Sequence, residues 1–412
     1  MIEKGFPRFV SREEIPARGW NVLREDLPTP VAVLRQSALD NNARWLRAFT
    51  ASLGVDLAPH GKTTMSPELF ARQIESGCWG LTCATAHHLE VYRAAGVRRV
   101  LFANQVIGRA NVRSVLAHLS DEAFELYVLV DGIEGATALA QGAQALGLRR
   151  PVPVLIEIGA AGQRTGVRSV EQGVELARLV SAQPRLALRG VETFEGLYGH
   201  APTEQGLAGV EALLRSCVEL AEAIDAGDSF APGEVLLSAG GSDFFDVAAL
   251  RLKAARLSRP VRVVLRTGCT ITLDHMHCRA AFERIRQRDA NAVLPQGSLQ
   301  PALEVWGHVQ SAPEPGRLIC NVGKRDVSYD WKLPAPVWWS SASKLKSMPP
   351  GHATSALNDQ HLYLDSPPDS PLRVGDMVGF GVSHPCTTFD KWRLLALVND
   401  DYDVVETVTT AF

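Results

Sequence analysis

Residues 124–131 read FELYVLVD, residues 133–145 read IEGATALAQGAQA, and residues 152–159 read VPVLIEIG. The first and third stretches are apolar runs without strict alternation, and the second has the spacing of an amphipathic helix. Two apolar strands joined by a helix are typical of a parallel sheet that is covered on both faces. This stretch therefore predicts a strand–helix–strand unit.

The same pattern repeats on both sides of this unit. About eight such units in about 240 residues match a (β/α)8 barrel, which takes about 250 residues. An open, doubly wound sheet is the alternative, but it more often shows a glycine-rich turn after its first strand, and none stands there. The predicted strands are residues 31–35, 55–59, 80–85, 99–104, 124–131, 152–159, 188–196, 234–241 and 261–268.

The pattern changes after residue 278, where turns rather than helices separate the strands. Predicted strands at 303–310, 317–321, 360–364, 377–381 and 394–398 indicate a mostly antiparallel β domain. The tryptophan-containing stretch 330–358 is predicted to be irregular. The fold class is therefore α/β: a barrel over residues 28–275, and a β domain formed by residues 1–27 with 276–412.

Composition excludes several classes of protein. The 412 residues are 46% hydrophobic and 21% charged with a formal net charge of −3, so nucleic acid is not expected as a partner. No apolar run approaches the ~20 residues of a membrane span, and residues 1–5 lack an apolar signal core. The seven cysteines are odd in number and scattered, which favours free thiols. We expect a soluble, cytoplasmic protein with no membrane partner.

A lysine follows the second predicted strand, in the sequence PHGKT at residues 59–63. Catalytic residues of such barrels lie at the carboxyl ends of the strands, which is where Lys62 is placed. If Lys62 is partly buried there, its amine loses hydration and becomes nucleophilic toward an aldehyde. A solvent-exposed loop lysine is the alternative, and His60 taken alone is more often structural than catalytic.

Two glycine-containing turns are candidate anion sites. The turn 238–242 follows an apolar strand and precedes a helix expected near Asp243, so Gly240, Gly241 and Ser242 can bind a phosphate. In the segment GQRTG at 162–166, Arg164 can bind a carboxylate or phenolate oxygen. A tight turn without a ligand and an unpaired loop arginine are the respective alternatives.

Histidines mark three further positions. Tyr198 offers a ring for stacking and His200 an imidazole for proton relay, although a structural histidine is an equally good interpretation. The stretch SHPC at 383–386 places His384 and Cys386 two residues apart, where an extended chain would direct both at one soft metal such as zinc. The pair is only half a site, because zinc normally has three or four ligands. The group at 274–278 is not predicted to bind metal, because the chain leaves the barrel there.

Together these motifs resemble a known family. They occur in the order found in fold type III pyridoxal phosphate enzymes, and from Asp26 to Trp392 the chain is similar to the D-serine dehydratase and D-threonine aldolase group. That group shares its barrel with the alanine racemase N-terminal domain. The segment 383–392 favours the dehydratase side, since D-threonine aldolases usually carry an aspartate where Cys386 stands.

The resemblance implies roles for individual residues. Many relatives have a tyrosine in the segment that matches residues 268–270, and none stands here, so the role of Gly268-Cys269-Thr270 is open. By resemblance, Lys62 is the Schiff-base lysine with His60 beside it, Arg164 holds the phenolate side of the cofactor, Gly240, Gly241 and Ser242 bind its phosphate, and His384 and Cys386 hold zinc near the substrate's β-hydroxyl.

The implied activity is a lyase reaction on a small D-amino acid. The first expectation is a dehydratase that converts a D-3-hydroxy amino acid (D-serine, D-threonine, 3-hydroxyaspartate or phenylserine type) to a 2-oxo acid and ammonia. The second is a metal-dependent aldolase giving glycine and an aldehyde, in which His60 or His200 takes the hydroxyl proton. The third is a non-catalytic pyridoxal phosphate carrier. By analogy with relatives, a homodimer is expected.

Overall fold

The computed structural model describes residues 2–8, 11–198, 204–289 and 293–412. Its strands form two sheets, one of eight parallel strands and one of ten strands that pair mostly antiparallel. The fold class predicted from the sequence, an α/β barrel with a second, mostly antiparallel β domain, is confirmed.

The elements are numbered in chain order. The helices are α1 (Gln36–Leu53), α2 (Pro67–Glu75), α3 (Ala86–Ala94), α4 (Arg109–Ala117), α5 (Ile133–Ala145), α6 (Val170–Ser181), α7 (Glu204–Ala226), α8 (Phe245–Lys253), α9 (His277–Gln287) and α10 (Cys386–Phe389). The strands are β1 (Val31–Arg35), β2 (Asp56–Leu57), β3 (Leu81–Cys83), β4 (Arg99–Gln105), β5 (Glu125–Val130), β6 (Val152–Glu157), β7 (Leu186–Glu192), β8 (Val235–Ala239), β9 (Val261–Leu265), β10 (Leu303–Glu314), β11 (Arg317–Cys320), β12 (Ala335–Ser341), β13 (Lys344–Ser347), β14 (Ala353–Leu357), β15 (Leu362–Asp365), β16 (Met377–Gly381), β17 (Leu394–Val398) and β18 (Val404–Thr409).

The barrel runs in the order β2-β9-β8-β7-β6-β5-β4-β3 with parallel pairing throughout. An isolated parallel bridge between His60 and Thr82 joins the two end strands, and the amide of Trp79 donates to the carbonyl of Leu57 at 2.8 Å. The barrel thus closes at a residue of the predicted site. A small apolar layer that draws one residue from each of several strand regions packs together: Ala58, Leu101, Leu129, Leu155, Leu236 and Val264.

The outer helices pack through apolar faces. In α6, Ser169 caps the amino end by accepting from the Gln172 amide, and Leu176, Ala177 and Val180 are buried. Burial of each large aliphatic side chain contributes about 1.5–3 kcal/mol. Gly173 is needed at the contact with α7, because a Cβ there would lie 2.5 Å from Leu220 Cδ1.

The second sheet contains one strand that the sequence placed elsewhere. β1 was predicted as the first barrel strand, and this is wrong: it pairs antiparallel with β10 and parallel with β17. The reason is that β1 is buried on both faces, so its apolar sequence reads like a barrel strand. Conversely, α9 packs Phe282 and Ile285 into the barrel core.

The amino-terminal segment lies on this sheet, where Phe6 and Ile15 join a buried cluster with Trp306 and Tyr402. The prediction of an irregular stretch at 330–358 is wrong, because it contains β12, β13 and β14. Serine, threonine and proline in these strands hide the period-2 pattern that marks a half-buried strand. Among the helices described, none is both long and apolar enough to cross a membrane.

Candidate active site at the carboxyl edge of the barrel

Lys62 lies on a short 3-10 turn, Gly61–Thr63, which follows β2 at the carboxyl edge of the barrel. Gly61 is packed so closely that a Cβ would lie 2.5 Å from Tyr92 Oη, so the turn requires glycine there. Thr63 is buried, but Lys62 is exposed, and the expected partial burial is wrong. The turn carries the lysine beyond the end of the strand and onto the rim.

His60 is the neutral histidine of the site. Burial lowers its pKa well below the usual value, and the positive charges of Lys62, Arg266 and Arg164 lower it further. Its Nδ1 is buried and has no hydrogen-bond partner among the described residues. Several cations around an uncharged imidazole make this edge attractive to anions such as a phosphate, a phenolate or a carboxylate.

The predicted phosphate site already binds an anion from the chain itself. The buried carboxylate of Glu195 accepts the amide of Gly240 at 3.1 Å and that of Gly241. Gly240 has φ +91°, and a Cβ there would lie 2.8 Å from Leu265 Cδ2, so only glycine fits. Beside them, Ser242 Oγ accepts from a threonine hydroxyl. The corner therefore has the donors that a cofactor phosphate needs, provided that Glu195 gives them up.

Sequence reasoning missed a buried layer of charge beneath this corner. The carboxyl group of Glu192, the last residue of β7, lies buried against the guanidinium of Arg266, which also donates to the Thr193 carbonyl at 2.8 Å. Burial raises the pKa of Glu192 to about 8; Arg266 opposes this shift, and the neighbouring carboxylate of Glu157 adds to it. The available signal was a carboxylate as the final residue of a mostly apolar strand, which also holds for Glu157 in β6.

Arg164 stands on an exposed loop at the same edge. Its guanidinium lies 4.8 Å from the centroid of the Phe194 ring, and Arg266 approaches the same ring at 5.9 Å. Arg168 fixes the loop by donating to four of its carbonyls, so the position of Arg164 is constrained.

The two remaining candidate residues, Tyr198 and His200, follow β7 in the sequence. The ring of Tyr198 packs against Gly209 of α7, at a point where a Cβ would lie 2.6 Å from Tyr198 Cε1. His200 falls outside the described residues. The roles expected for both in cofactor stacking and proton relay stay predictions.

The His384–Cys386 pair is positioned by a carboxylate. Asp330 Oδ2 lies 2.6 Å from His384 Nδ1, and Asp330 Oδ1 accepts from the Thr387 hydroxyl at 2.7 Å. Burial lowers the pKa of His384, but Cys386 and Asp330 outweigh it and raise that pKa to about 9. The predicted extended geometry is wrong, since Pro385 is helical and Cys386 begins α10. With Nδ1 on Asp330, the ring offers Nε2 to a metal.

Cys386 faces the lysine turn. Its Sγ lies 3.5 Å from Thr63 Oγ1 and 3.8 Å from Cys269 Sγ, and Thr63 Oγ1 is 3.8 Å from that second sulfur. The two motifs that the sequence separates by 323 residues therefore meet next to Lys62. In the described parts of the chain, no three histidine, cysteine, aspartate or glutamate side chains already surround one point as metal ligands. Imidazole and thiolate remain a suitable pair of donors for zinc.

The group at 274–278 has structural contacts. The buried carboxylate of Asp274 accepts the amides of Met276 at 2.8 Å and Cys278 at 3.0 Å. His277 Nε2 lies 3.4 Å from Asp243 Oδ2. These bonds shape the start of α9, directly behind Cys269.

A closed parallel barrel whose carboxyl edge carries a lysine turn and an anion corner, facing a β domain with a histidine–cysteine pair, has the architecture of the alanine racemase-like barrel proteins. Comparison of the chain with known proteins makes the class more specific. Residues 302–398 match the family model described as "Putative serine dehydratase domain".

Relatives with known activities span two kinds of lyase. The chain is 26% identical over 311 residues to 3-hydroxy-D-aspartate aldolase of Paracoccus denitrificans, covering 75% of each protein. It is 29% identical over 207 residues to D-threo-3-hydroxyaspartate dehydratase of a Delftia species, covering 48% of this chain and 52% of that protein. The resemblance stated from the motifs is confirmed: the chain is similar to the aldolases and dehydratases of this group.

Solved structures share the whole fold. D-threonine aldolase from Filomicrobium marinum superposes with a TM-score of 0.77 at 23% identity, covering 96% of this chain and 98% of that one. A cysteine-to-alanine mutant of D-threo-3-hydroxyaspartate dehydratase, described as in the metal-free form, gives a TM-score of 0.73 at 22% identity, covering 95% and 99%. At this identity the superpositions establish the fold alone.

Proposed function

We propose that this protein is a pyridoxal phosphate- and zinc-dependent dehydratase of D-3-hydroxy amino acids, releasing a 2-oxo acid and ammonia. The observation that carries the proposal is the contact between Thr63 and Cys386, which brings the lysine turn and the metal-ligand pair to one place. When bound, pyridoxal phosphate would take up electrons from the substrate's Cα, and zinc would polarise its β-hydroxyl.

The barrel edge supplies the acid–base and binding groups. Lys62 Nζ, exposed on the rim, would hold the cofactor aldehyde and then take the proton from Cα. His60, kept neutral by burial and by the surrounding cations, would lie beside it as a hydrogen-bonding group and not as a charge. The positive surroundings would favour the carboxylate of the substrate.

The cofactor would be held at the glycine corner. The amides of Gly240 and Gly241 and the hydroxyl of Ser242 would bind its phosphate in place of the Glu195 carboxylate. Arg164, stacked on Phe194 at the same edge, would face the phenolate side. Loading of the cofactor therefore requires Glu195 to move.

The β domain would place the leaving group. His384 and Cys386 would hold zinc against the β-hydroxyl, and Asp330 would keep the imidazole oriented. A thiolate and an imidazole are ligands that suit zinc better than magnesium or calcium, which prefer oxygen. Departure of the hydroxyl then needs no strong general acid from the protein.

A second candidate is an aldolase that cleaves Cα–Cβ to glycine and an aldehyde. It is favoured by the similarity to 3-hydroxy-D-aspartate aldolase, which extends over 75% of the chain. The same residues would act, except that the β-hydroxyl would lose its proton. His60, with a buried Nδ1 that has no partner among the described residues, fits that role.

A product assay separates the candidates. Purified protein loaded with cofactor would be incubated with D- and L-serine, D-threonine, D-threo-3-hydroxyaspartate and D-phenylserine, with and without a chelator. Ammonia and a 2-oxo acid from D-isomers only, lost on chelation and restored by zinc, support the dehydratase. Glycine plus an aldehyde makes the protein an aldolase. A loaded protein that yields neither from any of them overturns the proposal and favours a carrier.

A further inference from the structure

Cys269 lies where the barrel edge meets the β domain. It is the first residue of the 3-10 turn Cys269–Ile271, shortly after β9, and it is partly exposed. Its Sγ is 3.8 Å from Cys386 Sγ, although 117 residues separate the two in sequence. The segment 268–270 has no other role in the proposed mechanism.

We propose that Cys269 is a further protein ligand of the metal, so that Cys269, Cys386 and His384 form a site of two thiolates and one imidazole. This inference rests on the metal-binding part of the proposed function. It assigns the open segment 268–270 a chemical role and leaves the fourth position for the substrate's β-hydroxyl.

The spacing of the sulfur atoms supports the assignment. Two thiolates bound to zinc at about 2.3 Å and at the tetrahedral angle are about 3.8 Å apart. The observed separation of Cys269 Sγ and Cys386 Sγ is 3.8 Å, so both can bind one ion without moving apart. Thr63 Oγ1 lies within 3.8 Å of each sulfur and can donate to a thiolate.

Ligand number supports it as well. Zinc sites that bind a substrate have three protein ligands and one open position, and His384 with Cys386 supplies only two. Of the other cysteines nearby, Cys278 is buried, and its thiol is in hydrogen-bond contact with the Asp274 carboxylate and with Cys269. Cys269 is thus placed as the third donor, and the imidazole has to turn toward the sulfur pair, because the three donors do not yet surround one point.

Such a site has a chemical consequence. Two thiolates neutralise the two charges of zinc, which suits the binding of an alcohol oxygen, as in the zinc site of alcohol dehydrogenase with two cysteines and one histidine. Two soft ligands also select against magnesium and manganese, which prefer oxygen donors. We therefore expect zinc or cobalt to bind, and manganese to bind far more weakly.

The test counts sulfur atoms around the metal. X-ray absorption at the zinc edge of the wild-type protein, loaded with zinc, is expected to show two sulfur scatterers at about 2.3 Å. One sulfur scatterer would overturn the role of Cys269 while leaving the proposed function standing. A wild-type protein that binds no zinc would overturn both, so the two failures are distinguishable.

Variants give an independent readout. With cobalt in place of zinc, the thiolate-to-metal absorption band of Cys269→Ser is expected to fall to about half of the wild-type intensity, and zinc affinity to drop at least about 10–100-fold. Cys78→Ser, which replaces a partly exposed cysteine just before β3, should keep both the band intensity and the zinc affinity at the wild-type level. Equal spectra for Cys269→Ser and wild type contradict the assignment, and if Cys269→Ser does not fold, the count of sulfur atoms in the wild type decides.

Discussion

The two halves of the candidate site are built in different ways. The barrel half consists of charged groups at strand ends and turns: Glu157, Glu192, Glu195, Arg266 and the glycine amides at 240–241. Most of these are buried and already paired within the protein. The domain seam, defined as Thr63, Cys269, Asp330, His384 and Cys386, is formed by a hydroxyl, a carboxylate, two thiols and an imidazole from four distant stretches. Asp330 and His384 remain partly exposed.

Because of this difference, ligand affinity is limited by different factors in the two halves. In the barrel half a ligand has to displace an internal partner, because the amides of the glycine corner are bonded to Glu195. The affinity proposed there for a phosphate would therefore depend on competition with Glu195 and on pH. In the seam a ligand must collect donors that do not yet converge, so affinity depends on how well each donor is oriented.

The largest expected effect is loss of the rim lysine. Lys62→Ala should lower kcat by about 10²–10⁴-fold or more, because in the proposed scheme the amine of Lys62 both holds the cofactor aldehyde and accepts the proton from Cα. Lys253→Ala is the matched control, since that lysine is also exposed and donates to the Gly54 carbonyl. Steady-state rates with the best substrate measure the effect, and turnover of Lys62→Ala at the wild-type rate would end the proposed scheme.

The next effect tests orientation in the seam. Asp330→Asn should weaken zinc binding by about 10–100-fold, because the imidazole of His384 loses its ionic anchor. Competition of the protein with a chromophoric chelator measures this affinity. Asp359→Asn, which removes an exposed partner of Arg325, is the control and should leave affinity unchanged. Equal losses in both variants would mean that the orientation of His384 does not matter.

The third effect tests competition in the barrel half. Hydrogen bonds to charged groups contribute about 1.5–3 kcal/mol and neutral ones about 0.5–1.5. Glu195→Gln keeps the shape but weakens the bonds to Gly240 and Gly241, so affinity for pyridoxal phosphate should rise about five- to tenfold. Absorbance titration measures this affinity, with Glu211→Gln, at a partly exposed carboxylate that pairs with Arg251, as the control.

The increase in affinity for pyridoxal phosphate that Glu195→Gln causes should become smaller as the pH falls. Burial raises the pKa of Glu195, so the wild-type carboxyl becomes protonated on acidification and then competes no better than glutamine. Weaker binding of the cofactor by Glu195→Gln at neutral pH would instead show that the carboxylate helps to hold it.

The smallest effect is on stability. The pKa of Glu192 is about 8 in the folded protein, above the 4.5 of a free glutamate. The folded state therefore binds more protons, and the contribution of Glu192 is present below about pH 4.5, declines above it and is lost above about pH 8. The slope is at most about 1.4 kcal/mol per pH unit. Denaturant unfolding should show that the free energy of unfolding depends less on pH in Glu192→Gln than in the wild type. An unchanged slope would contradict the raised pKa of Glu192.

The sequence predicted the barrel half better than the seam. Carboxyl ends of parallel strands meet at one edge, so the turns around Lys62, Arg164 and Gly240 could be placed together from strand order alone. The buried partners Glu195 and Arg266 escaped, because a charged residue next to an apolar strand does not reveal its partner. In the seam, the pair His384 and Cys386 was found, but Asp330 and Cys269 were not, since no spacing rule links them.

By itself the sequence determined the alternation of strand and helix, the second β domain and the order of the chemical motifs, because these follow from local periodicity and turn chemistry. Only the tertiary structure decided that β1 belongs to the second sheet, that Lys62 is exposed on the rim, and that Cys269 touches Cys386. Those facts depend on contacts between residues far apart in the chain, which packing and closure of the barrel establish and local patterns do not encode.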